Sequence, residues 1–90
     1  MKYTDKRFAA GTLESSDVMV TVEYQEGENR IDIDSVVQEQ FGDSIRHTVE
    51  EVLAELAVRN AKITVVDRGA LDCVIRARVE TAVMRGRKGE

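Results

Sequence analysis

Apolar and polar positions change rhythm twice along this chain. Between Val18 and Tyr24 they alternate, with Val18, Val20, Val22 and Tyr24 on one face and Met19, Thr21 and Glu23 on the other. A period of two built on β-branched residues predicts a half-buried strand. Arg30-Ile31-Asp32-Ile33-Asp34 alternates again. The intervening Gln25-Glu26-Gly27-Glu28-Asn29 has turn chemistry, since Gly27 tolerates positive φ and Asn29 nearly so, and the two runs are expected to pair as a hairpin. Upstream, Phe8 to Leu13 predicts a weaker strand, interrupted by Gly11 and two alanines, with Glu14-Ser15-Ser16-Asp17 as its turn into Val18.

Helical spacing then takes over. Val37, Phe41, Ile45, Val49, Val52, Leu53 and Leu56 recur at steps of three and four and predict one long amphipathic helix. Asp34 or Ser35 is expected to cap it, and Ser35 with Gln38 three positions later has the form of a capping box. Gly42 costs about 1 kcal/mol relative to Ala, which predicts a kink or a restart at Asp43. Ala61 to Val66 reads as a short strand ended by Asp67-Arg68-Gly69. The last helix is expected over about 70–85, with Leu71, Ile75, Val79 and Ala82 as its core stripe. Ala70, Cys73, Ala77 and Met84 form a second stripe suited to a partner, with Arg78 and Arg85 beside it to pair with partner carboxylates. The closing Met84-Arg85-Gly86-Arg87-Lys88-Gly89-Glu90 reads as a frayed tail.

The element order is therefore (β)ββαβα. This is an α+β, two-layer architecture: a small antiparallel or mixed sheet of three to four strands with two helices. One domain is expected over residues 1–90, with residues 1–7 and 86–90 flexible.

Composition narrows the function. With 90 residues, 42% of them hydrophobic, the chain can fold around a core. It has no room for a deep catalytic cleft, because a domain this small buries only about 60–65% of its unfolded surface. Aromatics at 4% and a net charge of −4 argue against nucleic acid. The charge is also segregated: residues 8–59 carry net −9 and the remainder net +5. The single cysteine fits a reducing, cytoplasmic setting, and no apolar run approaches the roughly 18 residues of a membrane span.

Catalytic patterns are poorly supported. His47 is the one histidine, no Gly-x-Ser-x-Gly elbow exists, and Cys73 and His47 fall in different helices, which disfavours a metal site. Asp32 and Asp34 resemble the opening of a calcium loop but lack its glycine and closing glutamate, so they read as a strand's solvent face. Cys73 reads as packing. Serine remains. Ser15 and Ser16 lie in a polar turn between two strands, where another enzyme can reach a hydroxyl. Ser44, in Gly42-Asp43-Ser44-Ile45, is similar to the Asp-Ser-Leu site at which ordinary acyl carrier proteins bear phosphopantetheine at a helix start. Those carriers are four-helix bundles, and this chain opens with strands.

Gly11-Thr12-Leu13-Glu14-Ser15-Ser16-Asp17-Val18-Met19-Val20 resembles the opening of the citrate lyase acyl carrier protein, the gamma chain of that complex. Gln40-Phe41-Gly42-Asp43 followed by Ile45 resembles its middle, and Gly69-Ala70-Leu71-Asp72-Cys73-Val74-Ile75-Arg76-Ala77-Arg78 its last helix. The resemblance implies a carrier and not a catalyst. It implies that the serine after Leu-Glu, here Ser15, holds 2'-(5''-phosphoribosyl)-3'-dephospho-CoA through a phosphodiester. The following position, Ser16 here, varies between Ser and Gly in that family. It further implies an acetyl group on the arm's thiol, exchanged for citryl at the alpha (transferase) subunit and cleaved at the beta (lyase) subunit. The implied partners are those subunits and the prosthetic-group transferase, the holo-carrier synthase, and the setting is citrate fermentation. The Glu14 and Asp17 carboxylates beside the serine suit either a basic partner surface or local backbone bonds. Two alternatives remain: the related malonate decarboxylase carrier, which bears the same arm, and a cofactor-free adaptor or regulatory module.

Overall fold

Residues 7–88 are described by the computed structural model, which forms β1 (Arg7–Gly11), β2 (Val18–Tyr24), β3 (Arg30–Ser35), α1 (Gln38–Glu55), β4 (Ala61–Asp67) and α2 (Asp72–Lys88). The expected order (β)ββαβα is the observed one. The four strands form one mixed sheet in the order β1-β2-β4-β3. Both helices lie on one face of it, α2 over β1 and β2, α1 beside it over β3.

The expected β2–β3 hairpin is not formed. β2 pairs antiparallel with β1 and β4, and β3 pairs parallel with β4, which lies between them. Alternation reveals which face of a strand is buried but not which strand lies beside it. Here β4 is the most completely buried strand, with Ala61, Ile63 and Val65 fully covered, and it takes the centre. Parallel neighbours need a crossover connection, and α1 supplies it between β3 and β4. The loop Gln25–Asn29 clasps the chain entering β4 instead of closing a hairpin. Asn29 donates to Val58 O at 2.8 Å and accepts from Ala61 N–H at 3.0 Å, and Gln25 N–H donates to Asn60 O at 2.9 Å. Asn29 thus contributes two amide bonds and not a turn conformation; in that loop Gly27 has the positive φ.

Register puts Val18, Val20, Val22, Ile63, Val65, Ile31 and Ile33 on the helix-covered face, leaving Asp32, Asp34, Thr21 and Thr64 on the open face. Asp32 and Asp34 are therefore solvent-face residues, as expected. Edge strand β3 carries charge on that face, which discourages pairing with a further strand.

The core stripe of α1 is Ile45, Val49, Val52 and Leu53, with Phe41 mostly exposed at its first turn. Gly42 neither breaks nor restarts the helix, which runs unbroken from Gln38. The capping box is half formed. Gln38 Oε1 accepts from Ser35 N–H at 3.1 Å, but Ser35 Oγ accepts from Val37 N–H, because Ser35 is still the last residue of β3.

The apolar side chains that α2 buries are Ile75, Val79, Ala82 and Val83, while Leu71, assigned by periodicity to the core, is 70% exposed ahead of the helix. The helix also continues past its expected end at Arg85. Gly86 is buried where α2 crosses Phe8 and Tyr24, and a Cβ there would lie 2.9 Å from the Tyr24 ring, so only glycine allows this approach. Arg87 donates to Leu56 O, which extends the contact to the end of α1. Expected flexibility of residues 1–6 and 89–90 lies outside the described residues. Cys73, Ala77 and Met84 are exposed.

The end of α1 identifies a stabilising substitution. Ala57 follows the C-cap with φ 57, in the left-handed region, and Val58 N–H closes back onto Leu53 O at 2.9 Å. Glycine reaches that conformation without the Cβ penalty of about 1–2 kcal/mol. After the entropy glycine adds to the unfolded chain, Ala57→Gly is expected to raise stability by about 0.5–1 kcal/mol. Thermal unfolding should show a rise of roughly 3–6 °C; a fall would contradict the strain assigned to Ala57.

Candidate functional site

The six residues 12–17 between β1 and β2 form a loop organised around one carboxylate. Thr12 Oγ1 donates to Asp17 Oδ2 at 2.7 Å, and Val18 N–H donates to Asp17 Oδ1 at 2.7 Å. Arg78, from α2, donates through Nε and Nη2 to the two oxygens at 3.2 and 3.1 Å, a two-pronged ion pair between partly buried groups. These donors, the Thr12 hydroxyl foremost, hold the Asp17 carboxyl at a pKa of about 2. The loop backbone is fastened at the same place. Ser16 N–H donates to Arg68 O at 2.8 Å, Arg68 N–H to Asp17 O at 2.9 Å, and Asp17 N–H to Glu14 O at 3.1 Å. Gly11 makes the entry possible. It has φ +104, and a Cβ there would sit 1.8 Å from Val18 O.

Two serines at the apex have different surroundings. Both are exposed. Ser16 takes φ 66 and has its N–H bonded to Arg68, so its backbone is part of the fastening. That left-handed conformation is one glycine adopts freely. Ser15 is in ordinary backbone, and neither serine hydroxyl has a hydrogen-bond partner among the described residues. Ser44 lies elsewhere, seven residues into α1 and exposed, not at a helix start. The helix-terminal attraction for a phosphate falls off within the first turn, so it does not reach Ser44.

The remaining candidates do not assemble. His47 is exposed and faces Glu51 at 3.1 Å, while Cys73 is exposed at the start of α2. Among the described residues no three metal-binding side chains gather. Arg78 and Arg85, suited by position to a partner's carboxylates, are engaged within the domain: Arg78 holds Asp17, and Arg85 donates to Ala9 O. Asp17 likewise satisfies the backbone and does not face outward as a docking charge. Glu14 remains exposed.

Asp67 escaped sequence reasoning, which placed it in a turn. It ends β4 on the buried face, 1% exposed, accepting from Ser35 Oγ at 2.7 Å and Ala70 N–H at 2.9 Å. It ties the ends of β3 and β4 to the turn into α2. Beside that turn lies a groove of about 450 Å³ between the first half of α1 and the start of α2, walled by Phe41, Ser44, Ile45, Gly69, Ala70 and Leu71.

The carboxylate gives a direct test. A depressed pKa contributes stability above the unfolded value, lost as pH falls through the folded one. Asp17 should therefore titrate near pH 2 by carbon-detected NMR. Thr12→Val and Arg78→Met should each move the midpoint up toward the ordinary value of about 3.9. A wild-type midpoint near the ordinary value would contradict the clamp.

The family model described as "Malonate decarboxylase delta subunit (MdcD)", of the acyl carrier proteins, matches residues 5–86. The citrate lyase acyl carrier protein of Enterobacter sp. (strain 638) is 58% identical over 76 residues, 84% of this chain and 78% of that protein. That of Haemophilus influenzae (strain PittEE) is 54% identical over 94% of this chain and 87% of its own length. That of Vibrio cholerae serotype O1 (strain M66-2) is 51% identical over the same shares. Among solved structures, a chain of a Pseudomonas malonate decarboxylase hetero-tetramer in complex with malonate superposes with a TM-score of 0.77 at 22% identity, covering 93% of this chain and 87% of that one, a likeness of fold. The two-helix, four-stranded domain with its fastened serine loop belongs to the citrate lyase acyl carrier protein family, and is a carrier subunit and not a catalyst.

Proposed function

We propose that Ser15 carries 2'-(5''-phosphoribosyl)-3'-dephospho-CoA through a phosphodiester, and that this chain serves the alpha and beta subunits of citrate lyase as their acyl carrier in the cytoplasm. The single observation that carries this reading is an exposed serine hydroxyl, in ordinary backbone and without a hydrogen-bond partner among the described residues, at the tip of a loop fastened through Asp17. The residues present fit the group. A phosphodiester needs one accessible hydroxyl, which Ser15 offers, and of the two loop carboxylates Asp17 is balanced by Arg78 while Glu14 stays exposed to water. When bound, the group supplies a thiol that holds an acyl unit as a thioester. The chain's own contribution is mechanical. The Asp17 clamp keeps the base of the arm fixed to the domain, and the exposed apex admits the prosthetic-group transferase.

Tethering explains why a small rigid body suffices. A tethered thioester samples a docked active site at roughly millimolar effective concentration, without release into solution. Ser16 supports the loop through its backbone, which favours Ser15 as the modified position.

The malonate decarboxylase carrier is the second reading, favoured by the name of the matching family model and by the shared fold. The 51–58% identity to carriers named for citrate lyase favours the first. Co-expression of the chain with its modifying enzymes and either set of large subunits separates them by co-purification. Intact mass separates both from a cofactor-free adaptor.

Substitution at the loop is the sharper test. Ser15→Ala should abolish the mass adduct while changing stability by no more than about 0.5 kcal/mol, as surface changes do. Ser16→Gly and Ser44→Ala should load fully. An adduct that survives Ser15→Ala and disappears in Ser44→Ala or Ser16→Gly would overturn the assignment.

A further inference from the structure

We propose that the groove between α1 and the start of α2 is a seat for the uncharged, thiol-bearing end of the arm, occupied while the carrier is between partners. The inference rests on the carrier reading above and adds a binding site to it. Its first support is position. Ser16, next to the attachment residue, is hydrogen-bonded to Arg68 at 2.8 Å, and the residues that follow, Gly69 and Ala70, wall the groove. Successive Cα atoms lie about 3.8 Å apart, so Ser15 and Gly69 are separated by no more than roughly 13 Å. An arm able to enter another subunit's active site can fold back over that distance.

The second support is chemistry. Val37, Phe41, Ile45, Leu71 and Ile75 give the groove its apolar lining, and two of them, Phe41 at 51% and Leu71 at 70%, are left open to water. Covering such surface is favourable, and an exposed apolar patch around a groove marks a binding surface. Ser44, whose sequence setting drew attention as an attachment point, lines the same groove and offers a hydroxyl to an amide of the arm. Asp67 and Asp72 add carboxylates to the lining. A neutral thiol or a small neutral acyl group is compatible with them, whereas an acyl group bearing carboxylates is repelled.

Size and tethering select the occupant. About 450 Å³ falls within the range of small-molecule sites. A shallow groove binds a free ligand weakly, but an arm held at roughly millimolar effective concentration half-fills a millimolar seat and fills about three-quarters of one about threefold tighter. The site thus suits the chain's own arm better than a dissolved metabolite.

The test uses full-length carrier loaded in cells by its modifying enzymes, with loading verified by intact mass and Cys73→Ser as background so that the arm has the only thiol. Backbone amide spectra of loaded and unloaded protein should differ at Phe41, Ser44, Gly69 and Leu71 as well as at Ser15. Leu71→Glu, at an exposed position, should remain folded and loaded but lose the groove differences. A seat filled about three-quarters of the time should slow alkylation of the thiol by iodoacetamide about fourfold relative to Leu71→Glu. Full loading at Ser15 with unmoved groove amides, or equal alkylation rates, would remove the seat and leave the carrier reading intact. Groove amides that respond only when large subunits are added would assign the surface to a partner and also overturn the seat. Absence of any adduct would overturn both.

Discussion

Much of this structure depends on satisfying one carboxylate. Asp17 lies at the junction of β1, β2 and α2, and receives a hydroxyl, a backbone N–H and a guanidinium. Leaving such an acceptor partly buried without those donors is costly. With them in place, the loop 12–17 becomes an extension of the rigid body. Gly11 and the left-handed Ser16 are the backbone conditions for closing it, since the loop must turn sharply at both points. The hydroxyls of Ser15 and Ser16 both stay outside this network, and of the two residues only Ser16 is tied into it through its backbone N–H. Rigidity at the base and freedom at the tip are what a swinging arm requires.

A second fastening, at Asp67, has the complementary role. By bonding Ser35 and Ala70 it fixes the far ends of β3 and β4 against the turn that leads into α2. The same turn receives the Ser16 N–H through Arg68. The serine loop and the groove therefore share one structural element. The carrier's chemistry is gathered at the end of the sheet where β1 and β4 finish and both helices begin.

The sequence made the layers legible and left the neighbours hidden. Alternation at Val18–Val22 and at Ala61–Val65, and the spacing Ile45-Val49-Val52, report burial directly, and those residues are buried. Strand pairing is not encoded in that pattern. β2 and β3 look like a hairpin because the turn residues between them are suitable, and only the demand of β4 for two covered edges separates them. Leu71 was misplaced because helical spacing extends one step beyond where the helix begins. The tail was misplaced because Arg85, Gly86 and Arg87 disguise a helix whose glycine is needed for close packing. At the site, turn chemistry exposed Ser15 and Ser16, and a family resemblance distinguished them. The clamp was invisible, since Asp17 and Arg78 are 61 residues apart and nothing in either segment marks the other.

The central claim is that the loop is held by the domain while its apex serine is left free, and native-state hydrogen exchange tests it most directly. In the isolated carrier at neutral pH, the amides of Ser16 and Arg68, bonded across the junction, should exchange slowly, close to the rate of the sheet amides. The amide of Ser15 should exchange at nearly the rate of an unstructured peptide. Protection at Ser16 and Arg68 beside an unprotected Ser15 is the expected result. Rapid exchange of all six loop residues and of Arg68 would show a loop that is loose in solution, and would contradict the account.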